Sequence, residues 1–479
     1  MYLPLAKFSP ETDSAQAGTI VSMVGYIPTV KGYAGAPSPV ESTIDLGAEC
    51  RGAATVQDLD GSYKSFLGTQ TKLYKATGTT LEDVSIAGNY TGSSSSKWRF
   101  AQQGTISFAC NKVDETQFYT GTGDFANLTG APKASIVETV GNFVFLFDIN
   151  DGTDKPNGYA TCAEADYTDW TPDIDTGAIT GTIYDTPGPI TAGKKLSDYI
   201  IVYKAKSMYL ARYVGSPKWH EFSLVSDIVG AVSNEAVAVV GASHFFMGDD
   251  NFWRFDSTVP VPIGDDIREW FNGQINHELK GISFSIVDLS KGVVTWYYPT
   301  TNSSVCDAWV AYNYRTNKWG HGVQTAKAGL NYVSSGRTYD DVEALFATYD
   351  DLEGLTYSAI EQPSNTPIPA IVTTGNKIAY LNGAAVSQSM KLWDFGMDGQ
   401  ISFVSRIRPR YVRAPDNAAL QHYYRDNFGE NHSSGVNVTE TSGKFDLMWS
   451  SRWHAFDHFT YGDCEISGFD VDIAGDSLE

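Results

Sequence analysis

Basic residues are scarce in this chain: 34 Lys and Arg stand against 56 Asp and Glu, a formal net charge of −22 over 479 residues. A protein that grips nucleic acid neutralises phosphates with Lys and Arg, so this chain, taken whole, repels DNA. Cysteine is also sparse. The five (Cys50, Cys110, Cys162, Cys306, Cys464) are scattered and odd in number, with no CxxC pair. That excludes a zinc framework and a regular disulfide scaffold, and predicts isolated buried thiols made in a reducing cytoplasm. No run approaches the ~18 apolar residues of a membrane span. The start MYLPLAKFSPETDS lacks a basic segment followed by an apolar one, so a secretory signal is not expected, and the NYT sequon at Asn89 then carries no meaning. Helical periodicity is thin; its best instance is DDIREWFNGQIN, Asp265–Asn276. There Asp265 can cap and Ile267, Trp270 and Phe271 form an apolar face. GxSxG, HExxH and GxxxxGKS are all missing.

What is abundant is glycine, at 45 residues, and aromatics, at 13%. Both favour many turns joining short strands over long helices. The stretch FFMGDDNFWRFD from Phe245 shows the form: an apolar strand, a polar turn and a second apolar strand. Asp249, Asp250 and Asn251 supply the turn, because Asp and Asn side chains bond nearby backbone N–H groups and tolerate left-handed φ. The form recurs around Phe66, Phe108, Phe145, Val202, Phe245, Trp296, Phe346 and Tyr380. From Phe66 to Phe346 the spacings are 42, 37, 57, 43, 51 and 50. Repeats of about 40–50 residues made of strands are the mark of propeller blades. The predicted fold is therefore all-β: a β-propeller-like body over residues 46–399, with an extended, proline-bearing N-terminal arm over 1–45 and a C-terminal β region over 400–479 that packs on or closes the propeller. A string of sandwich domains is the alternative; steady spacing over this length favours one closed ring.

Several polar groups invite a chemical reading. The doublets Asp249–Asp250 and Asp265–Asp266, and a further one at Asp350–Asp351, suggest paired carboxylates of a glycosidase. Adjacent aspartates at a turn point apart, however, and turn chemistry explains them. DINDGTDKPNGY from Asp148 resembles a calcium loop but has Gly152, Thr153 and Tyr159 at the fifth, sixth and twelfth places, where Asp or Asn, Gly and Glu are required. It reads as a long hairpin loop. His454 and His458 have the i, i+4 spacing of a zinc helix, but RWHAFDHFTY reads as a strand, where such residues lie too far apart to share an ion. No metal, cofactor or catalytic group is expected. The sharpest polar feature is Arg406, Arg408 and Arg410 in ISFVSRIRPRYVR, spaced by two so that one strand face is basic. These arginines either pair across strands with the chain's own acids or form an assembly interface with an acidic partner.

The serial order of pieces resembles a known family. TIVSMVGYIPTVKGYAGAPSPVES is followed by YTDWTPDIDTGAITGTIYDTPGPI and LSDYIIVYKAKSMYLARYVGSPKWHEFSLVSDIVGAVS. VAVVGASHFFMGDDNFWRFDSTVPVPIG and VAYNYRTNKWG come next. The arginine strand, SRWHAFDHF and GFDVDIAG close the series. This order, over most of residues 18–475, is similar to the tail nozzle or tail-hub proteins of short-tailed bacteriophages, also called DNA-stabilisation proteins. The resemblance implies a non-enzymatic virion protein assembled in the host cytoplasm, six copies of which form a ring below the portal and adaptor rings. It implies a DNA exit channel with transient contact to the genome, partners among tail needle, fibre or spike proteins, and no stable membrane association. The rival reading is a carbohydrate-binding or carbohydrate-active propeller whose aromatics stack on sugars. The absence of an aspartate-box repeat counts against it.

Overall fold

In a computed structural model, which describes residues 1–12, 16–78, 80–93, 95–333, 367–396, 400–427 and 430–476, the regular secondary structure is nearly all β-strand. Apolar runs build antiparallel hairpins. Phe143–Asn150, for example, buries almost every side chain because it lies second in a four-stranded sheet with packing on both faces. The first hairpins of four successive sheets turn in only two residues, and each needs a left-handed residue at the first turn position. Gly104, Gly141, Ser197 and Gly241 fill it, with φ between 53° and 61°. This is the turn whose twist matches that of the strands it joins.

The β-propeller expected from the spacing is present. Six four-stranded sheets stand alone, and a seventh four-stranded unit, Phe284 to Ala326, forms one end of a ten-stranded sheet. We number these blades 1–7 from Gly52. The first strands of successive blades lie side by side around the axis, and Ala328–Tyr332 of blade 7 returns to Gly52–Gln57 of blade 1. Each interface between neighbours has its own apolar core, as with Phe145, Phe147, Val202 and Tyr209 between blades 3 and 4. The repeat anchors Phe66, Phe108, Phe145, Val202, Phe245 and Trp296 all fall on the second strand of blades 1–6. The anchor at Phe346 and the doublet Asp350–Asp351 lie outside the described residues. Tyr380 is on the third strand of blade 7, Lys377–Gly383.

The two ends differ from the sequence reading. The described residues of 1–45 do not form a separate extended arm. Ser38–Asp45 is the outer strand of blade 7, paired with Lys377–Gly383, so a segment from the start of the chain closes the ring. The residues before it enter a two-sheet sandwich that begins at Ser387, somewhat earlier than the expected boundary at 400. In one sheet Tyr2–Pro4 flanks Glu465–Asp476, followed by Ile401–Arg413 and Phe445–Ser451. In the other, Lys7–Phe8 and Thr19–Val24 lead to Ser387–Leu392, Trp453–Tyr461, Asn417–Arg425 and Ser433–Thr439. Tyr26–Pro28 and Tyr33–Gly35 stitch the first sheet to blade 6. Gly320 allows that approach: a Cβ there would sit 2.3 Å from the Tyr26 carbonyl oxygen. One core thus runs from Phe245 and Trp296 of the propeller to Leu3, Phe456 and Phe469 of the sandwich.

Among the described residues one short α-helix forms, Arg268–Gln274, with buried Phe271. Ile267 and not Asp265 occupies its N-cap, without a side-chain cap. Asp265 instead accepts a hydrogen bond from Asn251 Nδ2 at 2.8 Å. The apolar face is as expected: Ile267 and Phe271 are buried and Trp270 packs against them. All five cysteines are free and buried. Burial pushes the thiols of Cys50 and Cys162 up to about 11, which leaves them unreactive at neutral pH.

Candidate functional site

The acidic corner around the blade 5 hairpin is a set of separate ion pairs. Asp249 meets Lys280, with Lys206 at 3.4 Å. Asp250 meets Arg268, and Asp266 meets Lys7 at 2.5 Å. Each carboxylate has its own cation or amide, so no two acids face a common substrate. The loop at Asp148 is likewise a hairpin. Lys112 Nζ reaches Asp148 at 2.6 Å and Asp154 at 2.9 Å, occupying the space a cation would take. Among the described residues no group of three His, Cys, Asp or Glu is placed to hold a metal.

His454 and His458 lie on the buried strand Trp453–Tyr461 and have different partners. His454 Nε2 donates to the Ser402 carbonyl at 3.1 Å, which leaves its Nδ1 to accept from His422 Nε2 at 3.0 Å. His458 Nε2 lies 3.0 Å from the Tyr411 hydroxyl, which itself donates to Glu440. Burial pulls the His422 and His458 imidazoles down to about 3, so both are neutral near pH 7.

The arginine stripe lies on strand Ile401–Arg413, and its acids are provided from neighbouring strands. Arg406 Nε reaches Asp446 at 2.9 Å. Arg408 reaches Asp472 at 3.2 Å. Arg410 makes a bidentate pair with Asp470, at 2.7 and 2.9 Å, and stacks over the Tyr2 ring at 4.3 Å. Three cations thus face three carboxylates, the cross-strand pairing weighed from the sequence. About half of the Arg408 and Arg410 side-chain surface is still exposed, so this is a mixed-charge face and not a basic one.

A site that sequence reading missed lies on the propeller axis. The first strands enclose a cavity of about 590 Å³. Its charged lining is Arg51, Lys97, Arg99, Lys194 and Lys327 against Glu49 and Glu235. Arg99 Nε donates to Glu235 Oε1 at 2.6 Å and Nη2 to Oε2 at 3.3 Å, and Nη1 holds Ser135 at 2.6 Å. Lys97 is 4.0 Å from the same carboxylate. Burial would raise the Glu235 carboxyl, but Arg99 and Lys97 overcome it and hold it at about 2. Glu49 is also shared, by Arg51 at 2.7 Å and Lys327 at 3.9 Å. The signal that could have found this site is KWRF at Lys97–Phe100. There two cations alternate with a buried Trp98, the same period of two that drew attention to Arg406–Arg410.

No family model and no curated protein matches the chain. Solved structures do resemble it. YCF48 bound to a D1 peptide is 8% identical with a TM-score of 0.37, over 62% of this chain and 86% of that one. Human WBSCR16 is 9% identical with a TM-score of 0.35, over 60% and 86%. The extracellular domain of the one-component system BT4673 from B. thetaiotaomicron is 10% identical with a TM-score of 0.43, over 87% and 48%. Likenesses this distant carry no argument about function.

Proposed function

We propose that this chain is a structural subunit of a short-tailed phage tail, a nozzle or hub protein that forms a ring of six below a portal–adaptor ring and carries the DNA exit channel. The observation that best supports the reading is the use made of the N-terminal segment. TIVSMVGYIPTVKGYAG, part of the family resemblance, runs through the sandwich and onto the edge of blade 6, and Ser38–Asp45 then closes blade 7. Propeller and sandwich share one packed core in consequence. Packed interiors have low compressibility and transmit strain, the property needed in a part that stays assembled against a pressurised genome. The acidic balance is in keeping with a conduit, because a wall rich in carboxylates offers phosphates few places to stick.

The test is co-expression with portal and adaptor proteins of a short-tailed phage, followed by negative-stain imaging and light scattering. A sixfold ring bound to the portal complex is expected; six times 52.2 kDa is about 313 kDa for the ring alone. A monomer that ignores the portal complex, or one that binds a glycan array, would overturn the reading.

A further inference from the structure

The axial cavity reverses the charge balance of the rest of the chain. Acids outnumber bases 56 to 34 overall, yet five cations and two acids line the cavity. Both acids are already shared, Glu235 between Arg99 and Lys97 and Glu49 between Arg51 and Lys327. Arg99 takes Glu235 in a bidentate grip, so the Lys97 ammonium shares Oε2 with it from 4.0 Å and also meets the Gly281 carbonyl at 3.3 Å. Lys194 adds a cation from blade 4. Even counting Glu138, whose carboxyl burial raises although Lys194 opposes the shift, cations remain in excess by two.

An excess of like charge converging inside low-dielectric walls is costly unless a counter-charge enters, and such walls focus the field on whatever does. The rest of the lining suits an organic skeleton, with Val237, Phe284, Ile286 and Leu330 among the polar groups. We propose that the propeller axis is a binding site for a small polyanion bearing phosphate or carboxylate groups, held between Lys97 and Lys194 and compact enough for a cavity of about 590 Å³. Arg99 and Glu235 act as a fixed strut that keeps the Lys97 wall in place. This site is independent of the tail reading.

Pyrophosphate and propane-1,2,3-tricarboxylate serve as probes in calorimetric titrations of the full chain at low salt, one for each anion chemistry. At least one should bind saturably with a dissociation constant below about 1 mM. K97Q/K194Q should weaken it by at least about tenfold, the loss expected when a charge-assisted hydrogen bond is removed. K97R, which keeps the charge, should retain binding. K206Q, at a largely exposed lysine on an outer turn, should leave it unchanged. K194Q alone should also weaken binding and serves if the double variant does not fold. The proposal is overturned if neither probe binds, or if the Gln variants bind as tightly as the parent chain.

Discussion

Buried neutral histidines should make this protein sensitive to mild acid, and His220 offers a clean measurement. Its imidazole is almost fully buried beside a cavity of about 250 Å³, edge-on to Phe143 and Phe145 with centroids 4.6 and 4.8 Å away. Neither ring nitrogen has a hydrogen-bond partner among the described residues. Burial lowers its pKa to about 4, against about 6.5 for an unfolded histidine. Between those values the unfolded chain binds the extra proton, so stability rises with pH there and is lost as pH falls from 6.5 toward 4. From pH 7.5 to 5.5 the linkage integral for this one group is about 1.3 kcal/mol. His244, His422 and His458 act in the same direction, with pKa values lowered to about 4, 3 and 3. Burial of Glu138, Asp148 and Asp457 raises those carboxyls and works against them. The informative variant is therefore His220→Phe, which removes a titrating ring without breaking a hydrogen bond, and the adjoining cavity gives room for the larger ring. His244 could not be used in this way, because its Nε2 donates to the Lys195 carbonyl and its Nδ1 accepts from the Tyr203 hydroxyl, both at 2.9 Å. Urea unfolding at pH 7.5 and 5.5 should show the variant losing about 1.3 kcal/mol less than the parent over that interval. Equal losses in the two proteins would refute the reasoning.

Three further outcomes can be checked. Asp394, with a side chain 1% exposed, pairs with Arg425 and lies 2.5 Å from His432 Nε2. Asp394→Ala leaves a buried guanidinium without that carboxylate and should cost about 3–5 kcal/mol in denaturant unfolding, whereas a loss under about 1 kcal/mol would show the pair to be well solvated. Changing Arg406, Arg408 and Arg410 together to Glu should lower the melting temperature of the isolated chain, since the new carboxylates would face Asp446, Asp470 and Asp472; an unchanged melt with lost ring assembly would instead assign the stripe to an interface. Gly320→Ala should destabilise by about 1–3 kcal/mol, as overpacking does, because its Cβ would meet the Tyr26 carbonyl oxygen. Limited proteolysis of that variant should release the N-terminal segment first, and wild-type resistance would argue against the tight approach.

Sequence alone determined the blades. A second strand is covered on both faces by its neighbours, so it must be apolar along its length, and Phe66, Phe108, Phe145, Val202, Phe245 and Trp296 announced themselves through local composition. Turn residues were legible for the same reason: GDDN and the Gly104, Gly141 and Gly241 turns are short-range chemistry. The failed calcium loop followed from spacing, and the strand setting of His454 and His458 from the flanking RWHAFDHFTY. What only the tertiary structure decided is pairing between distant segments. Ser38–Asp45 is largely exposed or half-buried, with one buried residue, so it carries no strong pattern to show that it closes a blade with Lys377–Gly383. The N-terminal strands Tyr26–Pro28 and Tyr33–Gly35 were equally silent: they are buried inside the sheet that joins sandwich and propeller, but at three residues each they are too short to show a period. The axial cavity belongs to the same class. Arg51, the Lys97–Arg99 pair, Lys194 and Lys327 come from four separate parts of the chain, and only closure of the ring brings their charges together around one axis.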